Sequence, residues 1–233
     1  MTPEEIHRPE SFAWLAKRSN VVWLALIFFL ILFATSFFLI YGHYRDAKEQ
    51  AFREDRKSVS LISLLLEAYL NDIRSNLESY ASRPLLLEAA RKKDAAGAKQ
   101  HLISLKRVSS GMDNLLIADR QGAIWVIQPD RPDVLGKNFA WHDWHRGVIR
   151  KKMPYVGEAV LRFTGEKDTA IHIAVPIYDE KKEIIGILLN TQRAVEIGRV
   201  LQRAPLEEGL SISVTDRNGT LIYSSRYAYA KPK

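Results

Sequence analysis

The chain has 233 residues, of which 47% are hydrophobic and 26% charged, with a formal net charge of +7 and no cysteine. This length suits one full domain plus a fragment rather than two large domains. The lack of cysteine excludes disulfides and thiolate metal sites. Lysine and arginine are scattered, without a basic stripe interleaved with aromatic residues, so no nucleic-acid partner is expected.

An uncharged window over residues 19–44 lies between Arg18 and Arg45. About 20 apolar residues suffice to span a bilayer. Trp23 and Tyr41 lie near opposite ends, where interfacial aromatic residues are found. A cleaved signal peptide has a shorter apolar core and a small-residue cleavage site, and neither is evident here. The window therefore predicts a transmembrane helix over 19–44.

The charges on either side of this window disagree about its orientation. Lys17 and Arg18 precede it and favour a cytoplasmic N-terminal segment over residues 1–18. A larger basic group follows it, namely Arg45, Lys48, Arg53, Arg56 and Lys57. The charge count alone therefore opposes export of the C-terminal part, although long domains are translocated largely regardless of charge.

The segment 45–109 is predicted to be helical. Neither glycine nor proline occurs from His43 to Arg83, and apolar residues recur at steps of three and four, which is typical of one long helix. This apolar stripe consists of Val59, Ile62, Leu65, Leu66, Tyr69, Ile73 and Leu77. Two shorter helices follow, in "PLLLEAARKKD" and "AAGAKQHLISLKRV". The stripe either pairs with its copy in a homodimer or packs against its own domain, and both alternatives stay open.

The pattern then changes to three β-hairpins. The first is "NLLIADRQGAIWVIQ", with its turn at 119–122, and the second is "DTAIHIAVPIYDEKKEIIGILLNTQ", with its turn at 179–182. The third is "SISVTDRNGTLIYSS". The first and third share an Asp-Arg-x-Gly turn, at Asp119 and again at Asp216, which suggests an internal repeat whose second copy runs out near Tyr223.

The order of these features resembles the double Cache module, the PAS-like extracytoplasmic sensing region of bacterial chemoreceptors, sensor histidine kinases and cyclic-dinucleotide enzymes. The resemblance covers about residues 43–224 and includes "LGKNF…HDW" and "PYVGE". Its most specific pieces are Leu135-Gly136-Lys137 with Trp144 downstream, and Ile173-Ala174-Val175-Pro176-Ile177 running into Ile185-Gly186.

The resemblance implies an α+β fold. A membrane-distal Cache domain with a central antiparallel sheet would occupy 110–204, and 205–233 would form the first hairpin of an incomplete membrane-proximal subdomain. The family keeps its N-terminus inside and its Cache domain outside. The expectation is therefore a single-pass protein of the bacterial inner membrane with a periplasmic sensor domain. Any catalytic output domain would lie beyond this chain, which is expected to be a fragment or a truncation and not an enzyme.

The stretch "AWHDWHRG" over 140–147 is the densest group of functional residue types. His142, Asp143 and His145 would supply part of a metal site, with His172 or His101 arriving from elsewhere. However, neither an HExxH nor a G-x-S-x-G pattern is present, so no catalytic residue, metal or cofactor is expected. A membrane-tethered metal-dependent enzyme and a truncated chain without a signalling role are the alternatives.

The resemblance implies a ligand pocket around this stretch. Amino-acid-binding double Cache domains carry a tyrosine, an arginine and a Trp-Tyr pair here, followed by a later aspartate for the ligand ammonium. These positions correspond to Lys137, His142, Trp144-His145 and the neighbourhood of Thr191 or Asn190. Because the aspartate is missing, a carboxylate or other anion is expected rather than an amino acid. The candidate ligand-binding residues are Lys137, His142, Trp144, His145, Tyr155, His172 and Thr191. A purely structural corner, with the tryptophans covering the sheet, is the alternative.

Overall fold

The computed structural model describes residues 11–109, 111–162, 168–204 and 211–226. The chain divides into two units, residues 1–58 and residues 59–233. The predicted cytoplasmic segment therefore falls partly outside the described residues, and so does part of the predicted second subdomain.

The first helix, α1, covers Ser11–Ala81. An 18-residue window within it has a mean hydropathy of 2.7, and none of that window is buried in protein. The window is apolar and unburied because it carries large exposed side chains such as Phe29, Phe33 and Phe38. The helix is therefore long and apolar enough to cross a membrane, as the uncharged window predicts.

Two short helices follow α1, and both begin where the sequence indicates. α2 covers Pro84–Lys92 and starts at a proline, which has no N–H to lose in the first helical turn. α3 covers Ala95–Val108, and the carboxylate of Asp94 accepts the backbone N–H of Gly97 at 3.1 Å as an N-cap.

A six-stranded antiparallel sheet forms the centre of the second unit. Its strands are β1 (Asn114–Asp119), β2 (Ile124–Gln128), β3 (Tyr155–Val156), β4 (Val160–Leu161), β5 (Thr169–Tyr178) and β6 (Ile184–Arg193). The spatial order is β2-β1-β6-β5-β3, and β4 also pairs with β5. Helix α4 (Asp143–Lys151) lies between β2 and β3 in the chain, and α5 (Ala194–Leu201) follows β6.

The alternation of side chains along the strands divides the core into two layers. Leu188 of β6 joins the helices α1, α2 and α3 in one cluster, through residues such as Leu77 and Leu102. The next residue, Leu189, joins Trp144 of α4 in a cluster on the other face of the sheet. The predicted α+β fold with a central antiparallel sheet is therefore confirmed.

The apolar stripe of α1 packs against its own domain from Ile62 onward. Ile73 and Leu77 are buried in the cluster with the sheet, and Ile62 is buried in a third cluster with α5. Val59 stays 58% exposed. Within the described residues, the apolar stripe therefore packs against the domain of its own chain, and only Val59 at its start stays accessible to a partner.

The third hairpin consists of β7 (Ser213–Thr215) and β8 (Leu221–Ser224). Its turn repeats the turn of the first hairpin: Oδ1 of Asp216 accepts two backbone N–H groups, as Oδ1 of Asp119 does. Both turns place glycine at positive φ, +90° at Gly122 and +81° at Gly219, where a side chain is strained. The shared Asp-Arg-x-Gly pattern therefore has a shared local cause.

Candidate functional site

A cavity of about 120 Å³ lies on the face of the sheet that carries α4. Its apolar lining consists of Leu116, Ile124, Ile127, Val134, Phe139, Trp144, Val160, Leu161 and Leu189. Its polar lining consists of Asn114, Arg131, His142, Arg162, His172 and Thr191. A cavity of about 150 Å³ accommodates benzene. The space therefore suits a ligand of roughly six non-hydrogen atoms with an apolar body and a polar end.

Four residues that the sequence singles out line this cavity: His142, Trp144, His172 and Thr191. His172 and Thr191 are direct partners in the register of β5 and β6, so their side chains lie on the same face of the sheet. Ile173, the neighbour of His172, faces the helical core on the other side. Strand alternation therefore places His172 at the cavity.

The other three candidates lie outside the cavity lining. Helix α4 begins at Asp143, so His142 is its extended N-cap residue and does not share a helical face with His145. Nε2 of His145 instead donates to the carbonyl oxygen of Arg120 at 3.0 Å. The ring of Tyr155 packs under Gly147, and Lys137 is exposed in a turn. The cavity is therefore lined by four of the seven predicted ligand-binding residues.

Two arginines that the sequence did not single out also line the cavity. Nε and Nη2 of Arg131 bind the carboxylate of Asp133 in a fork, at 3.1 and 3.2 Å. Arg162 is paired with Asp113 at 3.1 Å and with Asp168 at 3.3 Å. In the sequence, only the position of Arg131 just after β2 pointed to a place near the cavity, and that signal is weak. Both guanidinium groups are fixed in place by carboxylates.

A histidine–aspartate cluster lies at one wall of the cavity, where His142 and His172 form the lining. Nδ1 of His142 donates to Oδ1 of Asp143 at 2.8 Å, and the rings of His142 and His172 are 4.9 Å apart and nearly perpendicular. Burial, followed by the proximity of His142, lowers the pKa of His172 to about 3, although Asp143 acts in the opposite direction. His172 is therefore neutral at physiological pH.

Asp143 also anchors the loop that follows β3. Its Oδ2 accepts the backbone N–H of Glu158 at 2.6 Å. Burial opposes ionisation of this carboxyl, but hydrogen bonds from His142 and from the backbone of Glu158 and Trp144 outweigh it and lower the pKa of Asp143. The next residue of the loop, Ala159, donates to Oδ2 of Asp216 in the third hairpin at 3.1 Å. One short loop therefore connects the cavity wall to the third hairpin.

Comparison with known proteins relates this fold to sensor domains. No protein-family model and no curated protein matches the sequence. Among solved structures, the ligand-binding domain of the Campylobacter jejuni chemoreceptor Tlp3 in complex with L-valine is 13% identical with a TM-score of 0.58, over 76% of this chain and 71% of that one. The sensor domain of the V. cholerae histidine kinase DctB is 16% identical with a TM-score of 0.58, over 74% of this chain and 66% of that one.

An extracellular ligand-binding receptor from Desulfohalobium retbaense is 19% identical with a TM-score of 0.52, over 70% of this chain and 31% of that one. This chain thus spans about a third of that receptor. Identities this low show the fold alone. The fold is that of the sensor and ligand-binding domains of chemoreceptors and histidine kinases, consistent with a PAS-like Cache sensor domain, and the resemblance seen in the sequence is confirmed at this level.

Proposed function

We propose that this chain is the extracytoplasmic sensing part of a transmembrane signalling protein, and that its cavity binds a small carboxylate. The sensor-domain fold supports the first part. The single observation that carries the second is Arg131, a guanidinium held at the edge of an otherwise largely apolar cavity. Asp133 engages Nε and Nη2, and within the described residues no partner engages Nη1. An oriented guanidinium nitrogen is a strong donor to a carboxylate.

Two further polar groups complete the proposed subsite. The hydroxyl of Thr191 has no hydrogen-bond partner in the part of the chain that the structure describes, and it lies on the cavity lining. His142 lines the cavity as well. Among the described residues no carboxylate lines the cavity, and Asp143, next to His142, is already bonded to His142 and to the backbone of Glu158. A small carboxylate with an apolar body therefore fits better than a free amino acid.

Signal transfer would run through β6 to α1. Thr191 faces the cavity, and its neighbour Gln192 faces the helices, where Nε2 donates to the hydroxyl of Tyr69 at 2.8 Å. Burial, followed by the proximity of Glu196, raises the pKa of Tyr69 to about 12, so the phenol stays neutral. A ligand that binds one position of β6 better than another would shift α1. Because α1 also contains the apolar window, this shift is the proposed output.

A thermal-shift screen in detergent tests ligand binding. A ligand at 100 times its dissociation constant adds about 2.7 kcal/mol, which raises the melting temperature by several degrees. Small carboxylates should stabilise the chain more than amino acids do. Arg131→Gln should abolish the shift, whereas Arg120→Gln, at an exposed arginine outside the cavity lining, should leave it intact. Micromolar binding of several ordinary amino acids, or an unchanged shift in Arg131→Gln, contradicts the proposal.

Membrane topology needs a separate test. We propose a periplasmic location for the second unit, in a single-pass protein of the bacterial inner membrane. A periplasmic reporter fused after Ser109 should be active and a cytoplasmic reporter silent. The reverse pattern means that the basic residues after the apolar window decide the orientation.

Dimerisation through α1 is also proposed. Leu61 and Leu64, three residues apart on α1, remain 42% and 63% exposed. Because the chain has no cysteine, Leu64→Cys introduces a single thiol. Mild oxidation should yield a linked dimer for Leu64→Cys and much less for Arg74→Cys, farther along the same helix. Equal yields from the two variants would contradict a specific dimer.

A further inference from the structure

A group of metal-ligand types lies at the cavity wall, and the proposed carboxylate site uses only one of its members, His142. His142, Asp143 and His172 each offer one ligand atom, and these atoms lie within 4.8 Å of one another. They come from separate elements, because His142 and Asp143 begin α4 whereas His172 lies in β5. The fold, rather than a local sequence motif, brings them together.

An independent observation marks His172 as a donor without a partner. Its Nδ1 is fully buried and has no hydrogen-bond partner among the described residues. A buried polar atom without a partner destabilises the folded chain, so such atoms need an explanation. A neutral imidazole with an unused ring nitrogen is the form that ligates metal ions.

The surrounding contacts suit a cation. Nδ1 of His142 and Oδ1 of Asp143 lie 2.8 Å apart, which is about the spacing of two ligand atoms on one ion, so a bound metal ion would take the place of the proton between them. The carboxylate of Asp143 also accepts hydrogen bonds from the backbone of Glu158 and Trp144, and its two oxygens together keep lone pairs for a cation. Histidine ligates metal ions in its neutral form, so in such a ligand set the Asp143 carboxylate supplies the negative charge.

We infer that His142, Asp143 and His172 bind a divalent transition-metal ion at the wall of the cavity. Two histidines and one carboxylate form a ligand set for Zn²⁺ and for other first-row divalent ions. Three protein ligands leave further coordination positions open. Because His142 and His172 also line the cavity, a metal ion held between them is accessible from it.

The test is a zinc titration of the full chain in detergent, without an affinity tag and after a chelator has stripped it. Isothermal titration should show one Zn²⁺ per chain. Loss of a partner that merely orients a metal ligand already weakens binding about 10–100-fold. His142→Gln, Asp143→Asn and His172→Gln should therefore each raise the dissociation constant at least about 10-fold.

His145→Gln is the matched control, because His145 is a buried histidine three residues from His142 that bonds to Arg120 instead. It should bind Zn²⁺ as the unchanged chain does. The inference is overturned if the unchanged chain binds no Zn²⁺ at about millimolar concentration, if the three cluster variants bind normally, or if His145→Gln binds as weakly as they do.

Melting curves in metal-free buffer show which variants fold. Should His172→Gln unfold, Asp143→Asn decides the matter, because it is nearly isosteric and should still lose the absorption bands of Co²⁺ bound to nitrogen and oxygen ligands. Retained bands would refute the site. These titrations contain no carboxylate ligand, so their outcome is independent of the proposed function.

Discussion

Replacing Trp144 by alanine separates the structural and ligand-binding roles of the stretch 140–147. Trp144 is 2% exposed and belongs to the apolar cluster beneath α4. A buried tryptophan removes about 150–250 Å² from water, which at about 25 cal/mol per Å² amounts to about 4–6 kcal/mol. Compactness of the unfolded chain reduces this by about 10–40%, so we expect Trp144→Ala to lower the free energy of unfolding by about 3–5 kcal/mol.

The assay is denaturant unfolding of the full chain in detergent. Trp141→Ala is the control, because Trp141 lies three residues earlier and is 62% exposed. It should cost less than about 1 kcal/mol, as most substitutions at exposed positions do. If Trp144→Ala costs about as little stability as Trp141→Ala, the ring of Trp144 does not fill the core.

His142→Ala completes this comparison by addressing the ligand. His142 fills little of the apolar core, so its loss should cost much less stability than the loss of Trp144, while stabilisation by small carboxylates disappears. If His142→Ala leaves ligand stabilisation untouched and Trp144→Ala unfolds the chain, the stretch is a structural corner and not a binding element.

Two further substitutions test the packing and the proposed transfer of signal. Gly147→Ala should lower the free energy of unfolding by about 1–3 kcal/mol, because its Cβ would lie 2.5 Å from the ring of Tyr155; a melting temperature equal to that of the unchanged chain would disprove this close contact. The pKa of Tyr69 is about 12 in the folded chain and 10.0 in the unfolded chain, so the unfolded chain releases this proton first. The free energy of unfolding therefore falls as pH rises between the two values. Tyr69→Phe should remove this part of the loss of stability above pH 10. This pH prediction is contradicted if the denaturant midpoints of Tyr69→Phe and of the unchanged chain run parallel across this range.

The sequence predicts the hairpins well because their signals are local. The turns at Asp119, Asp179 and Asp216 each bond to their own backbone through the aspartate, and strands of alternating or apolar residues flank them. The break at Pro84 and the cap at Asp94 are local signals too. Such features need no knowledge of distant contacts, and the structure confirms the elements that they delimit.

The candidate site is predicted only in part because its members meet through tertiary structure. His142 and His145 are three residues apart and would share a face if both lay within one helix, but α4 begins at Asp143, one residue too late for that. Arg131 and Arg162 reach the cavity from segments that the sequence pattern did not connect with it. The pairing of His172 with His142 and Asp143 requires the register of β5 and β6, which no local pattern specifies.

The most direct test of the central claim is a crystal structure of the second unit with the carboxylate that stabilises it most. We expect the bound carboxylate to lie within about 3.2 Å of the guanidinium of Arg131, close to Thr191, with its apolar part against Trp144. Electron density for the ligand elsewhere, for example in the separate pocket lined by His145 and Tyr155, would show that this cavity is not the binding site.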